Sequence, residues 1–217
     1  MINTKQTSKK SPKEKHQEAK VKLFESFKDL LKKSNWTEEI LTDACTKCKF
    51  DPDYHRVLFN GGISQVVMEF ENWLNKETLV ILEKLEKPKK VREQIALALE
   101  ARITQVLSKE ASIKHNSFFL LPNHVAGGME AACNSCDLIW RYAGDKSTDF
   151  NYYTKRGLLL PVYLSAQTFY YADNSKNHQQ TKEFIASSLE NVINVASLKD
   201  KVKLPKMEDL PIFRFFS

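Results

Sequence analysis

Apolar residues recur three or four positions apart along most of the chain, which is the spacing that places them on one face of an α-helix. No segment shows a sustained alternation of apolar and polar residues, and no internal repeat is visible. The pattern therefore predicts an all-α protein of about nine helices.

Three helices are predicted at the N-terminal end, the first beginning near residue 14. The apolar face of this first helix consists of Val21, Phe24, Phe27 and Leu31. Thr37 is a good N-cap for a second helix that ends near Lys47. Asp51 and Pro52 are typical of the first positions of a helix and predict a third, short one that ends at Leu58, before a glycine pair.

Six further elements are predicted, separated after the fifth by a polar stretch over residues 108–117. Gly144 is expected to end the seventh element in a left-handed conformation. The eighth is apolar on more than one side, which predicts a central position, and Pro161 predicts a kink near Gly157. The predicted spans are 63–88, 91–106, 118–121, 122–143, 149–172 and 175–196.

A layout in which three short helices precede a larger apolar bundle resembles that of TetR-type transcription regulators. That resemblance implies a helix-turn-helix-like unit over residues 16–60 and a ligand-binding and dimerisation bundle over 61–198. A flexible basic tail is expected over 1–15 and a C-terminal tail over 199–217.

The third predicted helix is poorly suited to DNA, because Asp51 and Asp53 would meet the phosphates and few cations oppose them. We therefore expect no nucleic-acid partner. A ligand-responsive transcription regulator stays open as the alternative function.

Charge and cysteine content restrict the class of protein. The formal net charge is +6, and residues 1–33 hold ten Lys against four Asp or Glu, so the rest of the chain is formally neutral. The N-terminal residues lack the apolar core of a secretory signal, and four cysteines without such a signal indicate reduced thiols. These features predict a soluble, cytoplasmic chain that is at most peripheral to the inner membrane, with the basic tail as a possible contact to anionic lipid.

Candidate catalytic and metal-binding motifs are weak. Two C-x-x-C pairs, at 45–48 and 133–136, admit a four-thiolate zinc site, but ordinary thiols on helices are the favoured interpretation. Three of the five histidines, His115, His124 and His178, are expected at solvated helix ends. We therefore expect no catalytic residue, metal or cofactor. An enzyme stays open as a further alternative function, ranked below the transcription regulator.

The densest group of functional side chains is the stretch GDKSTDFNYYTKR, residues 144–156. Helix ending and capping account for Gly144 and for the Asp, Ser and Thr residues that follow it. They do not account for Tyr152, Tyr153, Lys155 and Arg156, because aromatic residues beside Arg at a helix start are typical of protein interfaces.

This stretch, together with Asp137-Leu138-Ile139-Trp140 before it and Val162-Tyr163 and Asp173 after it, resembles the signature region of the lipid-binding accessory proteins of ubiquinone (coenzyme Q) biosynthesis. The blocks at 36–41 and 58–62 are similar to that family as well. The resemblance covers roughly residues 20–195.

The resemblance implies a TetR-like homodimer that does not bind DNA. Such a protein would hold an isoprenoid quinone intermediate or a phospholipid and assist a di-iron hydroxylase without catalysing a reaction. The docking patch that it implies consists of Asp149, Phe150, Asn151, Tyr152, Tyr153, Thr154, Lys155 and Arg156, with Tyr152 where the family usually has Trp. The candidate lipid-binding residues are Gly127, Gly128, Met129, Leu159, Pro161 and Tyr163.

Two structural expectations accompany these assignments. Tyr152 and Tyr153 should be largely exposed, and Arg156 should share the face of Tyr152. The glycine pair Gly127-Gly128 should admit a close neighbour, either another helix or a ligand chain.

Overall fold

The computed structural model describes residues 11–148 and 150–199, with side chains described for 11–148 and 151–192. Within these ranges it contains nine α-helices and no strand, which confirms the all-α prediction. The helices are α1 (Pro12–Leu30), α2 (Glu38–Lys47), α3 (Tyr54–Leu58), α4 (Gly62–Glu83), α5 (Val91–Glu100), α6 (Lys109–Ser117), α7 (Val125–Tyr142), α8 (Phe150–Ala172) and α9 (Gln179–Lys199).

Local capping signals determine where the N-terminal helices begin. Ser11 forms a capping box with Glu14 at the start of α1, and Thr37 Oγ1 accepts a hydrogen bond from the backbone N–H of Ile40 at 3.4 Å, as predicted for α2. With 19 residues, α1 is longer than the short helix expected. Val21, which was assigned to the apolar face, is exposed, whereas Leu23 is buried in the core.

Several predicted boundaries are wrong, among them those of α3 and α4. Helix α3 begins at Tyr54, because Asp51 uses its carboxylate to accept the backbone N–H of Asp53 and forms a turn instead of a cap. Helix α4 ends at Glu83, before the predicted stop at residue 88.

The polar stretch 108–117 is a helix, α6, and not an interruption. Ser108 caps it by accepting a hydrogen bond from the backbone N–H of Ala111. Its buried residues are the small or polar Ala111, Ser112 and His115, so no apolar stripe marks the helix in the sequence. The predicted element at 118–121 is a 3-10 turn, Phe118–Leu120, and a second one, Pro122–His124, leads into α7.

In the part of the chain that the structure describes, the core consists of two hydrophobic clusters joined by α4. The first packs α1, α2 and α6 against the N-terminal part of α4, with Phe27, Trp36 and Phe70 at its centre. The second packs α5, α7, α8 and α9 around Ile139 and Tyr170, with Leu82 of α4. The domain boundary expected between residues 60 and 61 stays a prediction.

Helix α8 packs between α7 and α9, which agrees with its predicted central position. It is continuous through Pro161, which lies on its exposed side. Leu164 is also exposed, so one face of the helix remains uncovered in the described structure. No helix that the structure describes has both the length and the apolar character required to cross a bilayer.

Candidate functional site

Ion pairs join the end of α7 to the start of α8. Gly144 ends α7 with φ 88°, the left-handed conformation predicted for it. Arg156 then donates two hydrogen bonds to Asp137 of α7, at 3.0 and 2.8 Å, and a third to Asp145 of the connecting loop. Lys155 donates to the same Asp145 carboxylate at 2.6 Å.

Electrostatics favour the charged form of both aspartates. Burial by itself would raise the pKa of Asp145, but hydrogen bonds from Lys155, Ser147 and Arg156 outweigh it and hold that pKa well below its usual value. The pKa of Asp137 is lowered in the same way, since hydrogen bonds from Arg141 and Arg156 outweigh its burial. Much of the charge in this stretch therefore has a structural role, which is to attach α8 to α7.

Tyr153 is the more accessible of the two tyrosines in the predicted docking patch, with 70% of its surface exposed. Tyr152 is half-buried and therefore less exposed than expected, because the guanidinium of Arg156 lies 3.9 Å from the centre of its ring. The expectation that both tyrosines are largely exposed is therefore met by Tyr153 alone.

Arg156 shares the face of Tyr152, as expected, but it is 6% exposed. A guanidinium held by two carboxylates and covered by a ring is not free to meet a partner. The role expected for Arg156 at the surface needs correction, because its contacts are those of a structural residue.

The other predicted docking residues surround Tyr153. Lys155 is half-buried, with its ammonium 5.5 Å from the ring centre of Trp140, and the indole N–H of Trp140 donates to the Lys155 carbonyl at 3.0 Å. Asn151 is exposed and Thr154 is half-buried, and both make further interactions. Asp149 and the side chain of Phe150 lie outside the described residues.

A mostly apolar cavity of about 570 Å³ opens between α6, α7 and α8. Its apolar lining comes from Ile113, Phe119, Leu120, Val125, Gly128, Met129, Ala131, Ala132 and Leu164. Polar side chains, among them Asn116, Gln167 and Tyr171, line the side formed by α6 and α8. Sequence reasoning named Gly128, Met129 and Tyr163 among the lining residues. It missed Ile113, Asn116 and Ser117, because the stretch that forms α6 carries no apolar stripe.

A buried polar network reaches the inner end of this cavity. Glu71 lines the cavity and accepts hydrogen bonds from Arg102 and, at 2.7 Å, from Nε2 of His115. The indole N–H of Trp36 donates to Nδ1 of His115 at 3.0 Å, so the neutral ring carries its proton on Nε2 and donates it to Glu71. Arg102 also donates to Asn75 at 3.0 Å.

This network shows that the solvated position predicted for His115 is wrong, and it accounts for the lowered pKa of Glu71. His115 is 1% exposed and does not lie at a solvated helix end. Burial would raise the pKa of Glu71, but the charge of Arg102 and the hydrogen bond from His115 outweigh it and lower the pKa to about 2. Both carboxylate oxygens are therefore occupied.

The candidate lipid-binding residues divide into two groups. Gly128, Met129 and Tyr163 line the cavity, and burial raises the pKa of the Tyr163 hydroxyl to about 12. Gly127, Leu159 and Pro161 do not line it: Leu159 belongs to the second core cluster and Pro161 is exposed.

Gly128 has a close neighbour, which is the side chain of Phe119 in the 3-10 turn and not a second α-helix or a ligand chain. This contact provides a test. A Cβ at position 128 would lie 2.7 Å from Cβ of Phe119, so Gly128→Ala should lower the free energy of unfolding by about 1–3 kcal/mol. Gly127→Ala is the matched control, because its Cβ would meet only Sδ of Met68 at 3.4 Å, and alanine favours a helix by roughly 0.5–1 kcal/mol. Urea denaturation measures both, and equal stabilities would contradict the close contact.

The two C-x-x-C pairs lie in different parts of the fold. Cys45 is buried in the first core cluster and Cys136 in the second, while Cys133 is exposed. Burial raises the pKa of Cys136 to about 12. These contacts are those of ordinary thiols on separate helices.

Comparison with known proteins agrees with the resemblance noted in the sequence. Residues 125–196, which include α7, α8 and most of α9, match the family model described as COQ9. The "probable ubiquinone biosynthesis protein coq9, mitochondrial" of Dictyostelium discoideum is 25% identical over 199 residues, which cover 86% of this chain and 63% of the relative.

Two vertebrate relatives show similar agreement. The "ubiquinone biosynthesis protein COQ9, mitochondrial" of Homo sapiens is 23% identical over 177 residues, covering 77% of this chain and 55% of the relative. The COQ9-A protein of Xenopus laevis is 29% identical over 159 residues, covering 67% of this chain and 48% of the relative. The chain thus spans between about half and two-thirds of the length of these relatives.

Proposed function

Because residues 125–196 share the pattern of the COQ9 family, whose members named above are ubiquinone biosynthesis proteins, we propose that this chain acts in ubiquinone biosynthesis. Its role is that of a non-catalytic lipid-binding protein, which presents isoprenoid quinone intermediates to a di-iron hydroxylase. The observation that carries this proposal is the apolar cavity between α6, α7 and α8.

The cavity is suited to a hydrocarbon chain. Its volume of about 570 Å³ lies within the usual range of ligand pockets, and most of its walls are apolar. Each buried CH₂ group contributes about 0.8 kcal/mol, so a polyisoprenoid tail strongly favours such a cavity over water. A phospholipid chain would be held by the same walls.

The position of Tyr153 relative to the cavity suits a protein that presents its ligand to a partner. Tyr153 and Leu164, which lines the cavity, are eleven residues apart on α8, or three turns. They therefore lie on the same face of the helix, about 16 Å apart. A hydroxylase bound to Tyr153 would lie on the side of the molecule where the cavity opens.

A non-catalytic role agrees with the chemistry of the cavity. Glu71 is the carboxylate that lines it, and Arg102 and His115 already engage both of its oxygens. An acid whose pKa is about 2 and whose oxygens are occupied is a poor proton acceptor. The network stabilises the inner end of the cavity and engages both oxygens of Glu71 in hydrogen bonds.

We propose a mitochondrial location, since the relatives named above are called mitochondrial. This proposal replaces the cytoplasmic location expected from the sequence. Homodimer formation and peripheral contact with the inner membrane stay predictions that rest on the resemblance.

Mass spectrometry of lipids that co-purify with the chain tests the proposal directly. Isoprenoid quinone species or phospholipids should be found with the wild type, and filling the cavity should remove them. Ala131 lines the cavity and belongs to neither core cluster, so Ala131→Trp is expected to reduce bound lipid by on the order of tenfold.

Ala126→Trp is the matched control, because Ala126 is exposed in the first turn of the same helix and does not line the cavity. Its lipid content should equal that of the wild type. A wild-type chain that repeatedly lacks lipid, or an Ala131→Trp chain that keeps all of it, would contradict the proposal.

A further inference from the structure

A separate groove of about 380 Å³ lies between α2, α3 and the start of α4. It shares no lining residue with the apolar cavity between α6, α7 and α8. We call it the α3–α4 groove. Its polar lining residues are Glu38, His55, Arg56 and Asn60, and its apolar ones include Leu41 and Val66.

His55 brings a buried ring nitrogen to this groove. Its side chain is 3% exposed, and Nε2 has no hydrogen-bond partner among the residues that the structure describes. A buried nitrogen in this state costs free energy, because it has given up water without gaining another partner. A ligand oxygen in the groove would remove that cost by accepting a hydrogen bond from Nε2, in the tautomer that carries its proton there.

The start of α4 adds backbone donors on the same groove. Gly62, the first residue of this 22-residue helix, is one of the lining residues. The backbone N–H of Gly61 donates to the side chain of Gln65 at 2.6 Å, but Gly61 has no side chain with which to accept in return. The first turn of α4 also contains no acidic residue. Helix α4 therefore begins with backbone N–H groups that no side chain caps, and such groups favour an anion.

Two side chains of opposite charge complete the polar lining. Arg56 is 70% exposed and pairs through Nε with Asp53 at 3.2 Å, so its guanidinium lies at the surface of the groove. Glu38 lies in the first turn of α2 and is exposed. Because these two charges cancel formally, the preference for an anion depends on the directed donors of His55 and of the start of α4.

This set of donors fits the phosphate group of a small organic molecule. Phosphate oxygens accept hydrogen bonds from guanidinium groups and from the backbone at helix starts. The apolar side chains of Leu41 and Val66 would contact the organic part of such a ligand. A nucleic-acid backbone fits less well, since Asp51 and Asp53 are exposed on the adjoining segment and would repel a long polyanion.

We propose that the α3–α4 groove binds a small organic phosphate, with hydrogen bonds to its phosphate group from His55 Nε2, Arg56 and the first backbone N–H groups of α4. The site does not depend on the proposed lipid-binding function, because the groove and the apolar cavity are lined by different residues.

Titration of the full ¹⁵N-labelled chain with phenyl phosphate, followed by NMR spectroscopy, tests the site. The backbone amide signals of Gly62, Ile63 and Ser64 and the ring signals of His55 should shift and saturate. Inorganic phosphate should shift the same signals with an affinity at least about threefold weaker, because it has no apolar part. Sodium chloride at equal ionic strength should leave them in place.

Two pairs of variants carry opposite predictions. Arg56→Gln should weaken binding of phenyl phosphate by at least about fivefold, whereas Arg92→Gln, which removes the same charge at an exposed position of α5, should not. Glu38→Gln should strengthen binding by about threefold, because it removes a carboxylate that repels the anion. Its matched control is Glu39→Gln, in the same turn of α2 but outside the groove, which should bind as the wild type does.

Three results would overturn the proposal. The first is a shift that does not saturate, and the second is equal affinity in the wild type, Arg56→Gln and Glu38→Gln. The third is a short DNA duplex that shifts the same signals at a lower concentration than phenyl phosphate does, because that result would assign the groove to nucleic acid.

Lipid content distinguishes this proposal from the proposed function. Arg56→Gln should keep the lipid that co-purifies with the wild type while it loses affinity for phenyl phosphate. A wild-type chain that lacks lipid but binds phenyl phosphate through Arg56 would support the groove and contradict the lipid-binding role. A lipid-loaded chain that does not bind phenyl phosphate would overturn the groove alone.

Discussion

Replacing Glu71 by glutamine is expected to lower the free energy of unfolding by about 3–5 kcal/mol at pH 7, because it leaves the buried charge of Arg102 without its partner. An amide also has a single acceptor oxygen where the carboxylate accepts from both Arg102 and His115, so its NH₂ group would face a donor. Chemical denaturation of both proteins at neutral pH measures the difference. The predicted loss is a large part of the stability of a typical domain.

The pH dependence of that loss has a definite sign. The pKa of Glu71 falls from 4.5 to about 2 on folding, so its stabilising effect is complete above about pH 4.5 and is lost as the pH falls toward about 2. The wild type and Glu71→Gln should therefore become closer in stability as the pH is lowered through this range.

Two controls separate the ion pair from general effects of mutation. Arg56→Ala breaks an exposed pair with Asp53 on the surface and should have little effect. The double variant Glu71→Leu with Arg102→Met replaces the ion pair by apolar groups, so it should lose less stability than Glu71→Gln. If Glu71→Gln proved as stable as the wild type, the network around Glu71 would not be a significant source of stability.

Arg156→Ala and Tyr153→Ala are expected to affect different properties, although the two residues are three positions apart. Arg156 is buried and holds Asp137 and Asp145 together, so its removal should lower the free energy of unfolding by about 3 kcal/mol. Tyr153 is mostly exposed, so Tyr153→Ala should leave the melting temperature nearly unchanged.

In the proposed complex, Tyr153→Ala should weaken binding to the di-iron hydroxylase by about 2 kcal/mol or more, which is roughly a factor of 30 in Kd. Titration calorimetry with the purified hydroxylase measures this change. Val57→Ala, at an exposed position on α3, is the control for an exposed side chain. A Tyr153→Ala chain that folds and binds like the wild type would remove Tyr153 from the docking surface.

The docking stretch illustrates what sequence reasoning can and cannot assign. The left-handed end of α7 at Gly144 follows from local rules, and the prediction was correct. The pairing of Arg156 with Asp137 joins residues nineteen positions apart on different helices, and no local rule indicates it. The burial of the Arg156 guanidinium depends on that pairing.

The cavity shows a second limit. The stretch that forms α6 was predicted as a polar interruption, because its inward side carries small and polar residues instead of an apolar stripe. His115 is buried there since Trp36 and Glu71, 79 and 44 positions away, satisfy its two ring nitrogens. Because no helix was predicted over residues 109–117, the wall that α6 contributes to the cavity could not be predicted either.

By itself, the sequence determined the helical class, the caps at Thr37 and Gly144, and the resemblance to the ubiquinone accessory family. These features depend on side-chain spacing and on contacts within one turn, which are readable in the chain. The tertiary structure alone decided which charges pair, which tyrosine is exposed and where the cavity opens. The physical reason is that burial and ion pairing arise between residues distant in sequence, and only the packing of α4, α6, α7 and α8 brings them together.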